Sequence, residues 1–285
     1  MKRHWLTLLL VSKLATLFAQ TDDLQKDTLA FGNWLFQQGE YMRAATEYYR
    51  YLYYGGQENA WLWHQLALCY FKAGEYQKAL TIYNRLIKSF PLAEPKEDIF
   101  YEAAFANFKI AEFEECIKLI DELALQQDLL PPFFILRGSA YLLLGKDNQA
   151  VSDFTTYLAF PDAMDRVKVE NLLELINKSA KENRLNPFLA GLFSSLIPGL
   201  GRIYAGRTED GLVSFLLVGG CAALAFYSFS REGTNSLAGW IYVGLGSLFY
   251  ISNIWGSVVA AEQANGQQLA KRNWELKERL HALFP

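Results

Sequence analysis

Histidine, cysteine and methionine each occur only three times in 285 residues, and their placement removes several classes of chemistry. His4 lies in the N-terminal apolar segment, so His64 and His281 remain, far apart and in unlike surroundings. Two isolated imidazoles supply neither a zinc ligand set nor a nucleophile-activating triad. Cys69, Cys116 and Cys221 form no CxxC unit and sit inside apolar helical patterns, so they read as small buried hydrophobes rather than ligands or disulfide partners. Clustered lysine and arginine are also missing. Between Thr21 and Glu182 there are 24 acidic and 16 basic residues, the wrong sign for binding nucleic acid. A basic or neutral protein partner suits that surface better. Carboxylate runs such as Glu112, Glu114 and Glu115 belong on a solvated face, and Ser194-Ser195 lies in an apolar segment with no base nearby. Gly199-Leu200-Gly201 fails as a dinucleotide-binding loop, because Tyr204 stands at its sixth position and no strand precedes it. The expectation is a chain that is not an enzyme and needs no cofactor or metal.

The first residues carry Lys2, Arg3 and His4, then Trp5 to Val11 and Leu14 to Phe18, then Leu17-Phe18-Ala19-Gln20 before an acidic run. This is the layout of a signal peptide over residues 1–19, cut after Ala19. Lys13 interrupts the apolar core, which leaves a retained N-terminal anchor as the alternative. No cysteine follows to carry a lipid.

Gly39-Glu40-Tyr41 with Ala44 recurs as Gly74-Glu75-Tyr76 with Ala79, as Ala111-Glu112-Phe113 with Cys116, and as Gly145-Lys146-Asp147 with Ala150, at intervals of 35, 37 and 34 residues. A small residue ends one helix, an aromatic opens the next, and a small residue one turn later lets the pair approach closely. The second copy adds Trp63, Leu66, Ala67, Tyr70, Tyr83 and Pro91; the first has Phe31, Gly32, Leu35 and Tyr48, and the fourth Phe134, Gly138, Tyr141, Phe154 and Tyr157. The third departs most, with Asn107 where an aromatic is usual. This pattern resembles the tetratricopeptide repeat. The resemblance implies an all-α solenoid of about four repeats over residues 22–182. Val167, Leu172, Leu173, Leu175 and Ile176 mark an amphipathic helix from about Ala163 to Lys181, the capping helix that such an array needs.

The resemblance also implies a groove lined by the first helix of each repeat, at Asn33, Phe36, His64, Phe71, Tyr101, Phe105, Phe108 and Ser139. That groove is aromatic. The family's carboxylate clamp is not reproduced, since Leu29 and Asn33 stand where lysine and asparagine are both needed. An apolar or extended peptide is the implied ligand, with the chain's own termini as the alternative occupant.

Beyond residue 183 the composition changes, with only 6 acidic and 8 basic residues to the end. Three uncharged runs define a small α-helical membrane domain over 183–262: a short or re-entrant helix at 187–200 and spans at 211–229 and 237–261. The latter two have the roughly 20 residues a crossing requires, and Pro198-Gly199 breaks the first. Gly219 with Ala223, and Gly256 with Ala260, predict close packing of the two spans, and an oligomer through the spans is possible on the same ground. Trp240, Tyr242 and Trp255 fit interfacial positions. Asn253, the one strongly polar residue within a span, is expected to hydrogen bond between helices. An amphipathic polar tail occupies 263–285. The stretch from Pro198 to Gly211 resembles the turn of the small two-transmembrane-helix domain family, and of a related bacterial domain of unknown function that often follows tetratricopeptide repeats. The matching positions are Pro198, Gly199, Gly201, Tyr204, Gly206, Arg207 and Gly211, while Arg202-Ile203 departs from the family.

These expectations combine into a membrane-anchored scaffold or adaptor of the bacterial cell envelope, an integral inner-membrane protein with its repeats in the periplasm. Its partners are a protein or peptide in the groove and membrane lipid. The alternatives are an accessory subunit of a transport or channel assembly, or an envelope-protein assembly factor.

Overall fold

The computed structural model describes residues 24–284; the signal-peptide reading of 1–19 lies outside them. Among the described residues there are helices and connecting turns but no strand. The chain forms two compact units, the first ending at Val169 and the second beginning at Glu170.

The first unit is a series of helical hairpins. Its helices are α1 (24–37), α2 (Tyr41–Tyr53), α3 (Ala60–Lys72), α4 (Tyr76–Ser89), α5 (Lys96–Lys109), α6 (Phe113–Ala124), α7 (Pro131–Leu143) and α8 (Asp147–Ala159). The four hairpin turns share one hydrogen-bond geometry. The N–H groups of Glu40, Glu75, Glu112 and Lys146 donate to the carbonyls of Leu35, Tyr70, Asn107 and Tyr141. In parallel, Gly39, Gly74, Ala111 and Gly145 donate to Phe36, Phe71, Phe108 and Leu142. This double closure needs a left-handed residue after the helix, and φ is +79° at Gly39, +77° at Gly74 and +72° at Gly145. The third repeat forces Ala111 to φ 64°, a conformation that costs a residue bearing a Cβ.

Behind each turn the predicted small residues pack without exposure: Ala44, Ala79, Cys116 and Ala150 are all fully buried. Gly32 and Gly138 give room for the rings of Tyr48 and Phe154; a Cβ at Gly138 would stand 2.7 Å from Phe154. Asn107, in the aromatic position of the third repeat, is buried and donates from Nδ2 to the Ala103 carbonyl at 3.2 Å. Burial pushes the thiols of Cys69 and Cys116 up to about 12, which leaves almost no reactive thiolate near neutral pH.

The predicted amphipathic helix is α9 (Arg166–Lys181), and the division between the units falls within it. Val169, Leu172, Leu175 and Ile176 are buried, whereas Val167 is 68% exposed. The inward stripe therefore starts two residues later than the sequence pattern suggests. Its start is fixed by Tyr157, whose hydroxyl accepts from the Asp165 N–H at 2.9 Å.

The second unit contains the remainder of α9, then α10 (Pro187–Leu196), α11 (Leu200–Tyr204), α12 (Thr208–Glu232), a 3-10 turn (Gly233–Asn235) and α13 (Leu237–Leu283). The segment through α12 and the turn, and α13, are each long and apolar enough to cross a membrane. The polar segment from 263 continues α13 without a break. Its Leu276, Leu280 and Leu283 are buried, and Arg279 donates to the Asn171 carbonyl on α9.

Candidate functional site

In the first unit, α3, α5 and α7 adjoin one another and make one layer, with the second helix of each hairpin behind. Three half-buried rings, Phe71, Phe105 and Tyr101, form a continuous run across this layer that ends on the buried Phe133. Phe71 on α3 lies 5.8 Å from Phe105 on α5, Phe105 stacks on Tyr101 at 6.1 Å, and Tyr101 meets Phe133 of α7 edge-on at 5.5 Å. Lys109 sits 5.2 Å over the Phe105 ring. Burial pushes the Tyr101 phenol up to about 12.

The other groove candidates face different partners. Phe36, Phe71 and Phe108 each pack edge-on against the aromatic that opens the next helix: Tyr41 at 5.4 Å, Tyr76 at 5.7 Å and Phe113 at 5.5 Å. They therefore clamp the hairpin turns from inside. Asn33 Oδ1 accepts from the Tyr48 hydroxyl at 2.8 Å. His64 Nε2 meets Glu102 Oε2 at 2.8 Å, and the Tyr83 hydroxyl donates to the same oxygen at 2.9 Å. Burial, followed by the Glu102 charge, holds the Tyr83 phenol well above its usual value. Ser139 is fully buried and its hydroxyl has no hydrogen-bond partner. Glu102 and Phe133 were not among the sequence candidates. Glu102 lies one residue past Tyr101, and only the approach of α5 to α3 shows that it serves His64.

One turn after Phe133 on α7, Arg137 makes a fork with Asp153, Nε to Oδ2 at 2.8 Å and Nη2 to Oδ1 at 2.7 Å, and reaches Asp121 with Nη1 at 2.6 Å. Hydrogen bonding to Asp153 first, and its charge, raise the Arg137 pKa further. This network ties three helices together and was not foreseen, because its members lie 16 residues apart on either side.

In the second unit the turn residues converge on α13. Gly199 adopts φ +89°, and a Cβ there would overlap the Gly211 carbonyl. A Cβ on Gly201 would overlap the Ala190 carbonyl. Asn253 Oδ1 accepts from the Gly199 N–H at 2.9 Å, and its Nδ2 donates to the Ser194 carbonyl at 3.2 Å. Ser194 Oγ accepts from Gly201 N–H at 2.9 Å and pairs with Ser257 Oγ at 2.6 Å. The expected interhelical bond of Asn253 thus exists, directed at the turn rather than at α12. Tyr204 accepts from the Asn186 N–H at 3.1 Å, Gly206 has φ +81°, and Arg207 pairs with Asp210 at 2.6 Å. Pro198 leads the chain from α10 into the turn.

The predicted packing of the two long helices through Gly219 and Ala223 is not what is found. Both are exposed, with open space above Gly219. The inward stripe of α12 is instead Gly211, Ser214, Val218, Cys221 and Ala225, at heptad spacing, and Gly246 of α13 packs on Cys221 while Gly239 packs on Phe229. Gly256 and Ala260 do permit close approach, but of α10 and α11: Ala260 is buried with Ala190 and Ala205.

No group of three or more His, Cys, Asp or Glu among the described residues could hold a metal ion. A family model for the tetratricopeptide repeat matches residues 63–93, which hold most of α3 and all of α4. The second hairpin is a tetratricopeptide repeat. The other hairpins reproduce its turn geometry, so the first unit is a tetratricopeptide-type array, of the kind that generally mediates protein–protein interaction. No curated protein matches the chain.

Proposed function

We propose that this chain is a non-enzymatic, membrane-anchored scaffold whose tetratricopeptide array binds a protein or peptide partner along the aromatic run of α3, α5 and α7. The observation that carries the membrane part is the outward face of the second unit. Only 11% of the apolar window of the first long segment and 17% of that of α13 is buried, whereas the core helix of a water-soluble domain buries its apolar face. Leu216, Phe226, Leu248 and Ile251 are each more than half exposed. Surface of this kind needs lipid or a partner to cover it.

On this reading α12 and α13 cross the bilayer, while α10 and α11 form a hairpin that enters and returns on one side. Leu185, before α10, exchanges two hydrogen bonds with Asn265 of α13, at 2.9 and 2.8 Å. Ser195, near the far end of α10, accepts at its carbonyl from Tyr250 at 2.8 Å. Then Arg207, after α11, reaches back to Gln263 at 3.3 Å. The hairpin descends and climbs along α13, so residue 185 and the 263–285 tail share one side. With the leader acting as an export signal, that side is the periplasm of a bacterial envelope. A reporter fused after Pro285 is expected to be active only outside the cytoplasm; cytoplasmic activity would establish three crossings and overturn the arrangement.

The groove is tested in the intact protein in membranes with a photoreactive phenylalanine at position 105. The expected product is an adduct with a second protein, absent when the same group replaces Lys118, 71% of whose side chain is exposed on α6. An exclusively intramolecular adduct from position 105 would show that the chain fills its own groove.

A further inference from the structure

We infer that Arg202 binds the phosphate of an anionic phospholipid where α11 meets α13, an inference that rests on the membrane reading above. Gly256 makes the notch for it: the guanidinium lies so close over this glycine that a Cβ there would collide with Nη2 and stand 3.2 Å from Cζ. Arg202 Nε is buried with no hydrogen-bond partner. Among the described residues no carboxylate forms an ion pair with Arg202: of the two acids that follow it, Glu209 and Asp210, neither pairs with it, and Asp210 is taken by Arg207 at 2.6 Å. Arg202 therefore has no protein counterion among the described residues.

Its depth decides what can supply one. Gly256 lies within the uncharged stretch of α13 that begins at Leu237 and ends at Ala261. Arg207 touches Gln263, seven residues further on, so the two guanidinium groups ladder along one edge of α13, roughly 10 Å apart at the rise of an α-helix. A cation at the inner rung is costly in hydrocarbon unless it is paired, and its long stem lets the head reach toward the interface. The anion a bilayer offers at that level is a lipid phosphate. Apolar surface continues below it on the same stripe. Leu245 and Phe249 precede Gly256 by eleven and seven residues, and both are more than a third exposed, which gives acyl chains a surface to lie on.

The test uses the full chain, purified in neutral detergent and titrated with phosphatidylglycerol, phosphatidylcholine or inorganic phosphate, with bound lipid counted by native mass spectrometry. The wild type is expected to hold phosphatidylglycerol about tenfold more tightly than phosphatidylcholine, the scale of one uncompensated charge meeting an anionic headgroup. Arg202→Gln should lose that preference, while Arg202→Lys and the remote Arg231→Gln keep it. Equal retention of both lipids by the wild type overturns the inference, as does an unchanged preference in Arg202→Gln. Protection by inorganic phosphate at the same concentration as the lipid also overturns it, since the site would then be one for free anions. Should Arg202→Gln not fold, the wild-type preference and its retention in Arg202→Lys decide. Extraction of the protein from vesicles by alkaline carbonate without detergent sinks the membrane reading itself, whereas stable insertion with no preference sinks only the lipid site.

Discussion

Gly201→Ala is expected to dismantle the α10–α11 hairpin in the second unit, while Gly219→Ala leaves it intact. The added Cβ at Gly201 overlaps the Ala190 carbonyl and comes within 2.7 Å of Ser194 Oγ, and neither backbone nor a fully buried serine can give way cheaply. If α11 shifts instead, the Gly201 N–H leaves Ser194 Oγ and the Gly199 N–H leaves Asn253. Ser194 and Asn253 are at most 2% exposed, so the Gly199 and Gly201 N–H groups and Asn253 Oδ1 lose their partners with no water to replace them. Overpacking costs about 1–3 kcal/mol and each orphaned buried polar group about 1–3 kcal/mol more, a total on the order of 3 kcal/mol or above. Gly219, with nothing within 4 Å, gains helix propensity and loses no contact. Thermal aggregation of detergent-solubilised protein, read by size exclusion, distinguishes the two. A Gly201→Ala protein as stable as the wild type would mean that α11 does not pack as described.

Arg137→Ala should destabilise the first unit by about 3–5 kcal/mol, the usual consequence of leaving one member of a buried ion pair without its partner. The side chain of Arg137 is 16% exposed and that of Asp153 only 8%, so water screens the pair weakly and the abandoned carboxylate is poorly solvated. Asp121, half exposed, contributes less. For a unit of this size the loss corresponds to a fall in Tm of roughly 6–20 °C. Arg137→Lys should recover part of it, keeping the charge but not the fork. Replacing Arg137 and Asp153 together by leucine should be near neutral, because no isolated charge is then left behind. Hydrogen exchange of α7 and α8 in the intact chain reads the effect locally. Equal damage from the single and the double replacement would show that packing of the arginine stem, rather than charge, holds these helices.

The two units differ in how readable they are. In the array, a turn is a local event: Gly39, Gly74 and Gly145 mark left-handed positions, and a small residue follows at fixed spacing where two helices must touch. The same register led to Ala111, where the conformation persists although the residue is unfavourable, because the surrounding hairpin imposes it. Groove positions were assigned by register too. Register alone does not separate Phe36 and Phe108, which clamp turns, from Phe105 and Tyr101, which run between repeats. The His64, Glu102 and Tyr83 cluster and the Arg137 network join residues from separate helices, and no local period encodes such meetings.

The sequence by itself determined the helical hairpins, their period, the glycine turn after α10 and the two long apolar helices, because each depends on backbone freedom or on apolar spacing within a few residues. The tertiary structure decided which faces of those helices meet. Small residues stand on several sides of α12, and Gly219 with Ala223 satisfies the spacing rule as well as Gly211, Val218 and Cys221 do. Only the placement of α13 against Cys221, and of the α11 turn against Gly211, turns the second set inward. Likewise Gly256 and Ala260 could have received either neighbour, and the polar bonds of Asn253 and Ser257 to the turn commit them to α10 and α11. A buried hydrogen bond has one satisfactory geometry where apolar packing has several, so the polar contacts fixed the arrangement that hydrophobic pattern left open.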